Sequence, residues 1–101
     1  MLKITSDNFQ TEVEESKTLV VIDLYADWCG PCRMVSPIVD EIAEECPQYL
    51  VGKVNVDEEP ELAKEFRVFS IPTLVVLEDG EVVTQAAGAR PKAAILSMLE
   101  E

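Results

Sequence analysis

Histidine is absent from this chain of 101 residues, and cysteine occurs only three times, at Cys29, Cys32 and Cys46. Zinc in proteins normally takes four Cys or His ligands. A metal site built from this chain alone would therefore need carboxylates, and none is expected. Basic residues are also scarce: 8 Lys and Arg stand against 20 Asp and Glu, for a net charge of −12. That balance disfavours nucleic acid and anionic membrane as partners; its plainest meaning is a solvated acidic surface. No run approaches the ~20 apolar residues of a membrane span. The opening Met1-Leu2-Lys3-Ile4-Thr5-Ser6-Asp7 lacks the apolar stretch of a secretory signal. A cytoplasmic location is expected, where thiols are kept reduced. Repeats, linkers and low-complexity segments are missing too. A single domain over residues 1–101 is expected. At 48% hydrophobic and 28% charged, the composition is that of a folded globular protein rather than a disordered one.

What the chain does have is Trp28-Cys29-Gly30-Pro31-Cys32. Two cysteines three positions apart on the first turn of a helix lie on one face, within the span a disulfide can bridge. A ring that short opens and closes without rearranging the fold, which suits a reversible redox couple better than a structural staple. A metal knuckle and an inert thiol pair are the other readings of a bare C-x-x-C. Pro31 pre-sets a helical φ and lacks an N–H that would be unpaired there anyway. Cys29 meets the helix N-terminus, whose free amides and partial positive charge stabilise a thiolate.

A short strand is expected around Lys3-Ile4. Asp7, with Gln10 three residues on, reads as a capping box opening a helix to about Glu15. Residues 18–25 are nearly continuously apolar and β-branched, as in a central strand covered on both faces. A helix begins at Pro31, with Met34, Val35, Ile38, Val39, Ile42 and Cys46 at helical spacing. Pro37 lies within it and should kink it. Residues 49–56 read as a strand and residues 58–66 as a short helix. Strands over 73–78 and 81–85 flank Asp79-Gly80, a hairpin signal. A last helix covers 91–99. The order β-α-β-α-β-α-β-β-α makes an α/β fold. Right-handed crossovers join its parallel strands, and the late hairpin makes the sheet mixed.

Four features in that order identify a family. They are the Trp28–Cys32 motif, the lone Asp23 in the strand before it, Ile71-Pro72-Thr73 ahead of the fourth strand, and Gly88 after the fifth. The chain resembles the thioredoxin family over nearly its whole length. The resemblance implies a central five-stranded mixed sheet flanked by four helices. It also implies a protein-disulfide reductase that donates electrons to oxidised target proteins. Cys29 would attack the substrate disulfide and Cys32 would resolve the mixed disulfide, closing a Cys29–Cys32 disulfide. A Gly-Pro spacer goes with the reducing members of the family.

Asp23, costly if ionised and buried, would have a raised pKa and serve Cys32 as general base. The alternative is an Asp facing solvent through a gap in the sheet. Lys53 matches a family lysine near that carboxylate, though alone it reads as an exposed strand lysine. Sequence alone favours a trans Ile71–Pro72 bond; in the family it is cis, packed against the cysteines, leaving the Ile71 backbone to pair with an extended substrate. Trp28, Gly30, Pro31, Ile71, Pro72 and Gly88, with Ala87 and Ala89, would form the docking patch for partners. Gly88 has the plainer reading of a loop glycine at positive φ. Cys46 continues the apolar helix face and reads as a buried free thiol. Tyr25 stands where many members have Trp, and Arg33 where Lys is commoner. No cofactor is expected on the chain; NADPH and flavin belong on a partner thioredoxin reductase. A monomer is expected. A binding module that never cycles its thiols is the rival from another class.

A reductant of this kind has a potential well below that of the glutathione pool. Equilibrating the Cys29–Cys32 couple in dithiothreitol redox buffers measures it. A value near or above the pool would instead indicate an oxidant or isomerase.

Overall fold

The computed structural model describes residues 1–100. Five strands form one mixed sheet: β1 (Leu2–Lys3), β2 (Val20–Tyr25), β3 (Leu50–Asn55), β4 (Thr73–Glu78) and β5 (Glu81–Ala87). Four helices accompany them: α1 (Gln10–Glu14), α2 (Gly30–Glu45), α3 (Pro60–Glu65) and α4 (Lys92–Leu99). The spatial order of the strands is β1-β3-β2-β4-β5. Strand β3 runs parallel to both β1 and β2, while β4 is antiparallel to β2 and to β5.

The apolar run in β2 makes it a central strand, with Val20, Val21, Ile22 and Leu24 all sealed from water. Alternate residues serve opposite layers. Ile22 and Leu24 pack with Phe9, Val13, Leu62, Phe66 and Val75 under α1 and α3. Val21 packs with Val35, Val39, Ile42, Val76 and Ile95 under α2 and α4. Asp23 follows Val21 by two, so its carboxyl enters the second layer. The buried stripe of α2 is Cys32, Val35, Val39 and Ile42, and the helix runs unbroken through Pro37 on its exposed side. The Asp79-Gly80 turn takes φ of 53° and 81°, the two positive values that a type I′ hairpin requires.

Three local expectations are corrected. No side chain caps α1, and Asp7 is not its cap. Asn8 organises the turn instead: its Oδ1 accepts the Thr5 N–H at 2.8 Å and its Nδ2 donates to the Lys3 carbonyl at 2.9 Å. Glu59 accepts from both the Ser6 N–H and hydroxyl at 2.9 Å. The helix itself is wound wide, closing with Glu15 N–H to the Gln10 carbonyl, five residues back, at 3.0 Å. Strand β2 starts at Val20 because the Ser16 hydroxyl holds the Thr18 backbone in a turn. Strand β5 continues to Ala87, paired with Thr73.

Ile22 is wholly buried in the central strand, and Val83 is half exposed on the edge strand. Ile22→Ala should cost about 3 kcal/mol. Val83→Ala should stay within about 0.5 kcal/mol. Urea unfolding of the two variants measures both; similar losses would contradict this placement of the core.

Candidate functional site

The first turn of α2 begins where β2 ends. Cys29 takes an extended conformation (φ −87°, ψ 111°) as the residue capping α2, and its Sγ accepts the Cys32 N–H at 3.2 Å. A sulfur thus holds the place that Ser or Asp usually fills at a helix start, facing the positive end of the helix. Cys29 and Cys32 are bonded as a disulfide with their Cα atoms 5.3 Å apart. Both are buried, in a small apolar cluster with Ala26, Tyr25, Val56 and Ile71. Cys46 is a free thiol at the far end of α2, half-buried against the apolar layer.

Three loops meet around the pair. Trp28 is exposed, yet its ring is fixed by a hydrogen bond from Nε1 to the Asp57 carboxylate at 2.8 Å. Asp57 is held in turn by the Asn55 side chain, whose Oδ1 accepts the Asp57 N–H at 2.9 Å. On another side the Ile71–Pro72 peptide is cis, and the Ile71 carbonyl lies 3.8 Å from Cys29 Sγ. The third loop carries Gly88, whose N–H donates to the Pro72 carbonyl at 2.8 Å. Gly88 sits at φ +97° with open space where a Cβ would be, so conformation rather than room calls for glycine. Gly30 and Pro31 form the start of α2 between the two sulfurs.

Asp23 is buried and its Oδ1 has no hydrogen-bond partner among the described residues. Its pKa is pushed up to about 7, first by burial and then by the Asp40 charge, with Lys53 opposing. Lys53 is its register partner on β3. The Lys53 ammonium lies 5.8 Å from the centre of the Tyr25 ring, a cation–π placement. Among the described residues no ion pair joins Lys53 to Asp23, so the lysine acts on the carboxyl through space. Asp23 shares with Cys32 the layer between the sheet and α2. Among the described residues no cluster of His, Cys, Asp or Glu is placed to hold a metal, and no helix is long and apolar enough to cross a membrane.

The fold and the site geometry agree with the sequence comparisons. The thioredoxin family model matches residues 1–101. The chain belongs to the thioredoxin family. It is 45% identical over 101 residues to the thioredoxin of Mycobacterium tuberculosis (strain ATCC 25618 / H37Rv), covering 99% of this chain and 87% of that one. It is 46% identical over 99 residues to thioredoxin 1 of Synechococcus elongatus, covering 97% and 92%. It is also 43% identical over 101 residues to the bifunctional thioredoxin reductase/thioredoxin of Mycobacterium leprae, matching 22% of that longer protein. As a thioredoxin-family protein with a closed cysteine pair, the chain is a disulfide oxidoreductase that works by dithiol–disulfide exchange.

Sequence reasoning missed several residues that shape this site. Asp57 and Asn55 hide in a stretch that reads as acidic surface and strand end. Asp40 reads as one more helix-surface acid. Phe69, which lines an open cleft with Trp28 and Ile71, gave a faint signal, being a large aromatic directly ahead of Ser70-Ile71-Pro72.

The raised pKa of Asp23 has a consequence for stability. In the unfolded chain the carboxyl ionises near 3.8, in the fold near 7. The folded state therefore binds the proton more tightly, and stability falls as pH rises through that window. The loss is complete above about pH 7 and approaches about 4 kcal/mol. Asp23→Asn should stabilise the protein by several kcal/mol at pH 8 and by little at pH 4. Thermal or urea unfolding at the two pH values measures this. An equal effect at both would place the carboxyl in solvent.

Proposed function

We propose that this chain reduces disulfides in protein targets, with Cys29 as the nucleophile and Cys32 as the resolving thiol. The observation that carries the assignment of roles is the position of Cys29 Sγ: it caps α2 and accepts the Cys32 N–H at 3.2 Å. That setting favours the thiolate, which is the species that attacks. In the reduced protein, Cys29 thiolate attacks one target sulfur, and the target's other sulfur leaves as a thiolate. Cys32 then gives up its proton and attacks Cys29 Sγ. The mixed disulfide breaks, and Cys29–Cys32 closes. Two electrons pass to the target, whose two thiolates take up protons.

Asp23 supplies the base for Cys32. A carboxyl with a pKa of about 7 exchanges a proton readily near neutral pH. Lys53 tempers that shift and thereby sets how easily Asp23 ionises. Trp28, Gly30, Pro31, Ile71, Pro72 and Gly88 form the surface on which the target lies. The Ile71 amide makes no backbone hydrogen bond within the described chain, which supports pairing with an extended target segment. The chain acts as one unit over residues 1–101, as a monomer in the cytoplasm, without nucleic acid or membrane partners. A thioredoxin reductase carrying NADPH and flavin returns it to the dithiol. The name of the Mycobacterium leprae relative, which joins reductase and thioredoxin in one protein, supports such a partner.

Cys32→Ser stops the cycle at the mixed disulfide. Incubated with oxidised insulin, this variant should accumulate a covalent adduct that dithiothreitol releases, while Cys29→Ser should form none. An adduct through Cys32 in place of Cys29 would reverse the two roles, and no adduct with either would remove the exchange mechanism.

A further inference from the structure

We infer that Tyr25 is a positioning residue for the proton passed between Cys32 and Asp23: its ring anchors the Lys53 ammonium on the face of the sheet that carries Asp23. The inference rests on the reading of Asp23 as the base for Cys32 and extends it to a residue that touches neither proton partner's carboxyl nor the target. The strand register brings the three side chains together. Asp23 and Tyr25 are two apart on β2 and so share a face. Lys53 lies opposite Asp23 on parallel β3, and Asn55 lies opposite Tyr25. Lys53 Nζ stands over the Tyr25 ring, 5.8 Å from its centre. That is inside the ~6 Å limit of a cation–π contact.

Tyr25 also belongs to the thiol side of the site. It packs against the Ala26, Cys29 and Cys32 cluster, and with Cys32 and Ser36 it lines an open cleft of about 190 Å³. The ring thus meets the cysteines directly and Asp23 through Lys53. A lysine ammonium is a compact, strongly hydrated charge on a flexible stem. Unanchored, such a stem extends into bulk water, where its charge acts weakly on the sheet interior. Among the described residues no ion pair fixes Lys53, and the Tyr25 ring supplies the anchor. The charges around Asp23 make that anchor matter. Burial and the Asp40 charge on α2 push its pKa up to about 7, and Lys53 on β3 opposes them. On β4 its register partner is the apolar Leu74. A positive charge nearby favours the ionised carboxyl. If the ammonium drifts away, Asp23 holds its proton to higher pH and accepts the Cys32 proton less readily at neutral pH.

The oxidised full chain, isotopically labelled at its aspartate carboxyl carbons, reports the Asp23 midpoint by NMR titration, with Asp23→Asn to identify the signal. Tyr25→Leu should raise that midpoint by about half a pH unit. Tyr25→Phe keeps the ring face and should hold the midpoint at its wild-type position. Lys53→Met should raise it at least as far as Tyr25→Leu. Added to Lys53→Met, Tyr25→Leu should cause no further rise, because the ring then has no cation to hold. A midpoint unmoved or lowered by Tyr25→Leu would overturn the inference, as would an equal rise with and without Lys53. Lys53 is half-buried and outside the core, so Lys53→Met tests the inference even where Tyr25→Leu does not fold: an unmoved midpoint there would overturn it as well. The consequence for exchange is read separately, as single-turnover release of reduced insulin from its mixed disulfide with Cys29. Tyr25→Leu should slow that release about twofold at neutral pH and leave it unchanged in mild alkali. The NMR titration is blind to disulfide chemistry, so loss of the coupling overturns this inference alone. A release rate whose pH dependence survives Asp23→Asn would overturn the base reading and this inference with it.

Discussion

Strand β2 is covered on both faces, and its pairing with parallel β3 on one side and antiparallel β4 on the other leaves its chain one exit. A parallel neighbour requires a crossover, and the crossover is helix α2. The start of α2 must then lie at the carboxyl end of β2, in the centre of the sheet edge. That is where Cys29 and Cys32 are. The sheet brings the other parts of the site to the same end: the Asn55–Asp57 turn follows β3, the Pro72 loop precedes β4, and the Gly88 loop follows β5. Four elements thus deliver four loops to one rim, and no long-range ion pair is needed to hold them there.

Within that rim, short hydrogen bonds decide the geometry. Trp28 is fixed through Asp57 to Asn55, and Gly88 is fixed to Pro72. Cys32 is tied to Cys29 by its own amide. Among the described residues two buried side-chain atoms are left without such a bond, Asp23 Oδ1 and Arg90 Nε. A buried carboxyl oxygen with no partner is unfavourable in either protonation state, and the fold tolerates it in the central strand, in the layer covered by α2. The proposed exchange gives that cost a use: the proton that Cys32 must lose needs a place to go.

Much of this could be read from residues alone. Continuous apolar and β-branched composition marks β2, because a strand buried on both faces cannot alternate. Pro31 marks a helix start, because proline fixes a helical φ and lacks an N–H, and Asp79-Gly80 marks a hairpin, because the pair accepts the positive φ values of the tight turn. Asp23 was visible because a charge inside an apolar run is conspicuous. The turn before α1 was not legible, because Asp7 and Asn8 are both good capping residues and only the tertiary contact from Glu59 to Ser6 favours the Asn8-centred turn. The Trp28–Asp57 bond joins residues 29 apart in sequence, and no local pattern reports it. The outward placement of Phe69 depends on Arg67 adopting a left-handed conformation that arginine rarely takes.

The sheet margins matter to a protein proposed to receive extended chains beside its cysteine pair. A strand margin is an open row of amides and carbonyls that any passing segment can join. Strand β1 offers only two residues of such a row. Strand β5 offers seven, but its ladder with β4 slips at Val83, where Val76 opposes Thr84 and Leu77 opposes Val82. The bulge twists that margin and breaks its regular spacing. An incoming segment therefore finds no long, flat margin on either side of the sheet, and the chain's best offer of backbone pairing is the single short one next to Cys29.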